Sequence, residues 1–122
     1  MAKPAPDLPK RFKFGPYPFQ IKEVVAPGKE RKEDGHAAND GYSDLDGGVV
    51  YIGQALTPYR KALVLHHECG HVIRYVFGGT EVEDEEKSEE HNVNLYSTGY
   101  IMLEQENPTL MEYFDYYLRN KR

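Results

Sequence analysis

His67-Glu68-Cys69-Gly70-His71 is the stretch whose residue types and spacing could do chemistry. On a helix, four residues make slightly more than one turn, so both imidazoles leave one face and can grip one metal ion. Glu68 stands about 100° round from His67, which puts its carboxylate beside such an ion. This is the H-E-x-x-H pattern, two zinc ligands and a general base. The ordinary alternative is a solvated helix face. It fits poorly with the flanking Ala62, Leu63, Val64, Leu65, Val72, Ile73, Val76 and Phe77, because burying unpaired polar groups is costly. Gly70 would let another backbone or a ligand approach closely.

A catalytic zinc site has three protein ligands and keeps a fourth position for water. The third ligand must come from elsewhere in the chain. His66 leaves the helix about 100° from His67, which suits packing better than ligation. Other candidates are His36, His91, the loop aspartates and the acidic run Thr80–Glu90, which has seven carboxylates against one lysine. A helix returning antiparallel would bring its first turn over the motif. Glu90 and Asn94 are four apart and face one way, so Glu90 could bind the ion while Asn94 orients a ligand histidine. Glu89 and His91 are the alternatives. A fourth protein ligand, such as His91 or Asp84, would make the site structural.

The elements that must position these groups follow in chain order. Pro4, Pro6 and Pro9 predict a disordered or extended arm over residues 1–10. Phe12, Phe14, Tyr17, Phe19, Ile21 and Val24 are spaced mostly by two around Gly15-Pro16, which predicts two short strands or a bulged hairpin. Pro27 to Asp46 reads as a long loop with turns. Asp40, Asp44 and Asp46 there lack the register of a calcium-binding EF-hand loop. Val49-Val50-Tyr51-Ile52-Gly53 reads as a strand. Thr57 as N-cap and Pro58 at the first helical position open a buried helix running to about Phe77, with Gly78-Gly79 ending it. A second helix reaches Gln105, within which Gly99 costs roughly 1 kcal/mol relative to alanine. Asn107-Pro108 stops that helix and caps a third, from Thr109 to about Asn120.

At 122 residues the chain suits one domain over 11–122, of α+β class: a small antiparallel or mixed sheet of about three strands packed on three helices. The formal net charge of −5, without a strong basic block, argues against nucleic acid as a partner. No apolar run is long enough to cross a bilayer, and the start lacks the apolar core of a secretory signal. The single cysteine, Cys69, precludes an internal disulfide. A soluble cytoplasmic protein is the expectation.

Val49-Val50-Tyr51-Ile52, followed by Leu63 through Ile73 with the motif at its centre, resembles the strand and active-site helix of small zincin-like, gluzincin-type metallopeptidases. The resemblance is to the ImmA/IrrE-type group and to short phage-encoded metallopeptidases. In those proteins a helix bearing E-E or E-x-E-A-N follows the metal helix and supplies a glutamate ligand. Glu89-Glu90-His91-Asn92-Val93-Asn94-Leu95-Tyr96-Ser97 is similar to that pattern, and Asn107-Pro108 is similar to the phage form. The similarity spans residues 17 to 115, with Cys69 replacing the usual aliphatic residue and His91-Asn92 more polar than the family's helix. It implies a zincin-like fold and one zinc ion held by His67, His71 and Glu90, with Glu68 as general base. It also implies hydrolysis of a protein or peptide substrate, including a specific regulatory protein, in the cytoplasm, or the host cytoplasm if phage-encoded. Strand 49–53 would hold the peptide by edge pairing. His91, Tyr96, Tyr100 and Tyr51 are candidate oxyanion partners. The competing reading is a non-catalytic, zinc-stabilised binding or regulatory module.

Overall fold

Alternating side chains build the first hairpin. In the computed structural model, which describes residues 4–30, 40–77 and 85–119 (backbone alone at 29–30 and 85–92), β1 (Arg11–Phe14) pairs antiparallel with β2 (Tyr17–Val24). Phe12, Phe14, Phe19 and Ile21 are buried on one face, whereas Arg11, Lys13, Gln20 and Lys22 are exposed on the other. Gly15 turns the hairpin at φ +58°, a conformation that costs glycine nothing sterically.

A 3-10 turn over Pro27–Glu30 follows β2, and then β3 (Gly41–Asp44) and β4 (Val49–Gly53) form a second hairpin. The sheet order is β1-β2-β4-β3, with β4 parallel to β2 and antiparallel to β3. Among the described residues this is a mixed sheet of four strands, one more than the sequence suggests. The extra strand, β3, lies inside the stretch read as a long loop. Gly41, Tyr42, Ser43 and Asp44 carry no hydrophobic alternation, so β3 depends on pairing with β4 rather than on its own pattern. The connecting turn closes with Gly48 at φ +69° and with Asp44 Oδ1 accepting from Gly47 N at 3.0 Å.

β4 is therefore an interior strand. Its two sides are taken by β2 and β3, so the expectation that strand 49–53 offers an edge to a peptide is incorrect. Among the described residues, β3 is the edge strand on that side of the sheet.

The helices pack on the face carrying Phe12, Phe19, Val50 and Ile52, all part of one core cluster. α1 (Pro58–Val76) starts as expected: Pro58 is its first residue, and Thr57 Oγ1 accepts from Arg60 N at 3.3 Å. Phe77 closes it, its N–H donating to Ile73 O. Gly78-Gly79 lie outside the described residues. Ala62, Leu65, Cys69, Val72 and Ile73 form the buried stripe of α1, at helical spacings of three, four and one.

α2 (Glu85–Glu106) packs against α1. Gly99 is what allows the close approach, since a Cβ there would overlap the Ile73 side chain. α3 (Pro108–Phe114) continues into a π-helical turn, Asp115–Arg119, where the sequence suggests one helix to about Asn120.

Asn107 begins α3 but makes no side-chain cap. Its amide instead accepts from Lys13 N at 2.8 Å and donates to Lys13 O at 2.7 Å and Leu103 O at 3.0 Å. Glu106 Oε1 accepts from Gly15 N at 2.9 Å. These two side chains cover the outer edge of β1. The N-terminal arm has no helix or strand between Pro4 and Pro9, yet Pro9 is buried and Pro6 O accepts from Tyr117 Oη at 3.4 Å. No helix among the described residues is long and apolar enough to cross a membrane.

Candidate metal centre

α1 and β3 run side by side in the same direction, and the cleft between them holds the motif. Asp40 meets Arg60 at the start of β3, Ser43 meets Glu68 midway, and Asp46 meets Tyr75 beyond its end. The intervening Gly41 lies so close to α1 that an added Cβ would overlap Val64 Cγ1 and come within 3.4 Å of Glu68 Cγ. The cleft is open and measures about 620 Å³, with Gly41, Tyr42, Ser43 and Leu45 on one wall and Arg60, Val64, His67, Glu68 and His71 on the other.

His67 and His71 are exposed on α1, one turn apart, as the spacing requires. Their rings stand nearly perpendicular at 85°, and the two Nε2 atoms approach to 3.2 Å. Ligand atoms of His67, Glu68 and His71 all lie within 4.8 Å of one another. A tetrahedral zinc with Zn–N bonds of about 2.0–2.1 Å needs its two nitrogens about 3.3 Å apart. The histidine pair meets that requirement without moving. Among the described residues this is the one group of three or more histidine, cysteine or carboxylate side chains close enough to hold an ion.

Glu68 differs from its neighbours because it is 5% exposed. Its Oε1 accepts from Ser43 Oγ at 2.7 Å. Burying a carboxylate costs several kcal/mol in effective desolvation, and one hydrogen bond to a charged group returns about 1.5–3 kcal/mol. The packing of α1 alone gives no reason to place an acid there.

His66 turns away from the cleft, as its helical angle predicts. It stacks on Tyr100 at 4.6 Å and meets the Phe114 edge at 5.2 Å. Burial holds it below the ordinary histidine value, and the Arg119 guanidinium adds to this while Glu104 opposes it. Cys69 is fully buried; burial, then the Glu68 carboxylate, pushes its thiol up, so it is an inert core residue.

Gly70 does admit a neighbour, but that neighbour is α2. A Cβ there would meet Tyr100 Oη at 3.1 Å and Tyr96 Cε1 at 3.7 Å. Tyr100 Oη donates to His66 O at 2.8 Å, and burial pushes this phenol up. Tyr51 stacks with Tyr42 at 6.3 Å. Tyr51, Tyr96 and Tyr100 are not among the described residues that line the cleft.

The side chains of Glu89, Glu90 and His91 lie outside the described residues, as do Asp84 and His36. Asn94 is exposed on α2. The three loop aspartates do not gather: Asp40 pairs with Arg60 at 2.9 Å, Asp44 closes its own turn, and Asp46 accepts from Tyr75 at 2.6 Å.

Sequence reasoning missed Ser43 and its strand. A signal was present: Asp46-Gly47-Gly48 ahead of Val49-Val50-Tyr51 is a hairpin pattern, and a hairpin requires a partner strand just upstream. No protein-family model, curated protein or solved structure matches the chain.

Proposed function

We propose that the chain is a zinc-dependent peptidase whose site is the cleft between α1 and β3. The observation that carries this reading is the pairing of two converging imidazoles, Nε2 to Nε2 at 3.2 Å, with a buried glutamate directly beside them. The packing of zincin-like peptidases, which the sequence resembles, is part of the same proposal. So is Glu90 as the third ligand.

Zinc held by His67, His71 and Glu90 would polarise a scissile carbonyl and lower the pKa of water. The remaining work belongs to the chain's own residues. Glu68 accepts a proton from the attacking water and returns it to the leaving amine, a role worth about 10²–10⁴-fold in rate. Ligation requires neutral imidazoles with Nε2 unprotonated, which makes zinc binding weaken as the pH falls.

β3 provides a place for an extended peptide. In its antiparallel register with β4, Asp40 O accepts from Gly53 N, so the backbone groups of Gly41 and Ser43 point to the opposite, outer side. No described strand pairs there. A peptide laid along that edge would pass beside His67 and His71, in the manner of β-strand addition.

The test is Glu68→Gln, assayed on labelled casein and on a mixed peptide library. It should retain zinc and lose at least about 100-fold in cleavage. Cleavage at the parental rate would refute the mechanism. Zinc content of Glu90→Ala and Glu89→Ala tests the third ligand, with loss expected only in the first.

A further inference from the structure

We propose that Ser43 is the positioning residue of Glu68: its hydroxyl holds one carboxylate oxygen and leaves the other to take the proton. This rests on the peptidase reading. The inference starts from the alternation along β3, where positions 41 and 43 face α1. Gly41 leaves no room there for a side chain, and Ser43 supplies a short one that ends in a donor. Glycine thus brings the strand in, and serine uses the approach to reach Glu68 Oε1 at 2.7 Å.

The chemistry favours this donor type. A glutamate has three side-chain torsions, and an unrestrained one would sample positions away from the reacting water. A lysine or arginine would hold it, but its fixed positive charge would weaken the carboxylate as a base. A hydroxyl is neutral, keeps its own proton throughout, and fixes Oε1 alone. In the reaction, water oxygen bonds to the carbonyl carbon, the water proton moves to Glu68 Oε2, the C–N bond breaks, and that proton passes to the amine. Ser43 donates the same hydrogen bond before and after.

The same residue joins two functions. The Ser43 backbone faces the outer edge of β3, where the peptide is proposed to pair, while its side chain holds the base. Seating of a substrate strand and orientation of Glu68 therefore act through one residue on one short strand.

The experiment compares parent, Ser43→Ala, Ser43→Thr and Ser43→Ala combined with Glu68→Gln, using the best-cut peptide from the library. Ser43→Ala should lower kcat about 10- to 100-fold with KM and zinc content nearly unchanged. Ser43→Thr, which keeps the hydroxyl and suits a strand, should restore most of the rate. In the Glu68→Gln background, Ser43→Ala should cause no further loss, because groups acting as a unit are non-additive. A readout independent of turnover is the side-chain carboxyl carbon resonance of Glu68 in zinc-free protein, assigned by its absence in Glu68→Gln. It should move in Ser43→Ala and return in Ser43→Thr. An unchanged kcat in Ser43→Ala, a loss confined to KM, or a loss that tracks zinc content overturns the inference while the peptidase reading stands. A parent protein that cuts nothing overturns both.

Discussion

Gly41→Ala is the substitution on which fold and site depend together. The added Cβ would overlap Val64 Cγ1 and lie 3.3 Å from Tyr51 O and 3.4 Å from Glu68 Cγ. Carbon atoms in contact settle at about 3.5–4.0 Å, so relief requires β3 to lift from α1 by about 1 Å. Val64 cannot swing aside cheaply, because a β-branched residue in a helix has one strongly preferred χ1 rotamer. A lift of that size stretches the 2.7 Å bond from Ser43 to Glu68 out of hydrogen-bonding range. Overpacking costs about 1–3 kcal/mol and the bond to a charged acceptor about 1.5–3 kcal/mol, so the total loss is about 2.5–6 kcal/mol. For a chain of this size that lowers the melting temperature by roughly 10–25 °C. Thermal and urea unfolding of the zinc-free protein would measure it. Val64→Ala in the same chain removes the overlap, so the double variant should be more stable than the sum of the singles by about 1 kcal/mol or more. Zinc affinity should hold, since helix geometry alone spaces His67 and His71. A loss below about 0.5 kcal/mol, or strict additivity with Val64→Ala, would refute the claim that β3 is pressed against α1 at this glycine.

Two further predictions concern the opposite side of α1. Helix propensity says that Gly99→Ala stabilises by about 1 kcal/mol. Its Cβ would overlap Ile73 Cγ2 and sit 3.0 Å and 3.1 Å from Cγ1 and Cδ1, an overpacking cost of about 1–3 kcal/mol that should win. A raised urea midpoint would sink that argument. For His66, burial lowers the folded-state pKa below 6.5, so between the two values the unfolded chain binds more protons. The zinc-free protein should therefore lose stability as the pH drops below about 6.5, and His66→Phe should flatten that slope. Identical slopes in parent and variant would show that His66 contributes nothing to it.

What could be read from the sequence was what is local. α1 announced itself by its cap, its proline and its apolar spacing, and the two histidines needed only helix geometry to converge. The first hairpin was equally plain from period-two alternation. β3 was not, because its four residues form a strand through pairing with β4 and through the contact of Gly41 with α1. Asn107 shows the same limit. Ahead of a proline it has the form of a helix cap, yet its amide is spent on Lys13, 94 residues away. Gly99 looked like a cost to its helix, and the reason for accepting that cost sits on another helix.

The two outer strands of the sheet are treated differently, and that difference bears on function. An unpaired strand edge invites association with other chains, and folded proteins usually blunt or cover it. On β1, Asn107 occupies both backbone groups of Lys13 and Glu106 takes the N–H of Gly15. On β3, the outer backbone groups belong to Gly41 and Ser43 and border a cleft of about 620 Å³ that contains His67, Glu68 and His71. Because β4 is paired on both sides, the proposed peptide path runs along β3 rather than β4. A single residue of that strand, Ser43, then links the aligned peptide to the base that would act on it.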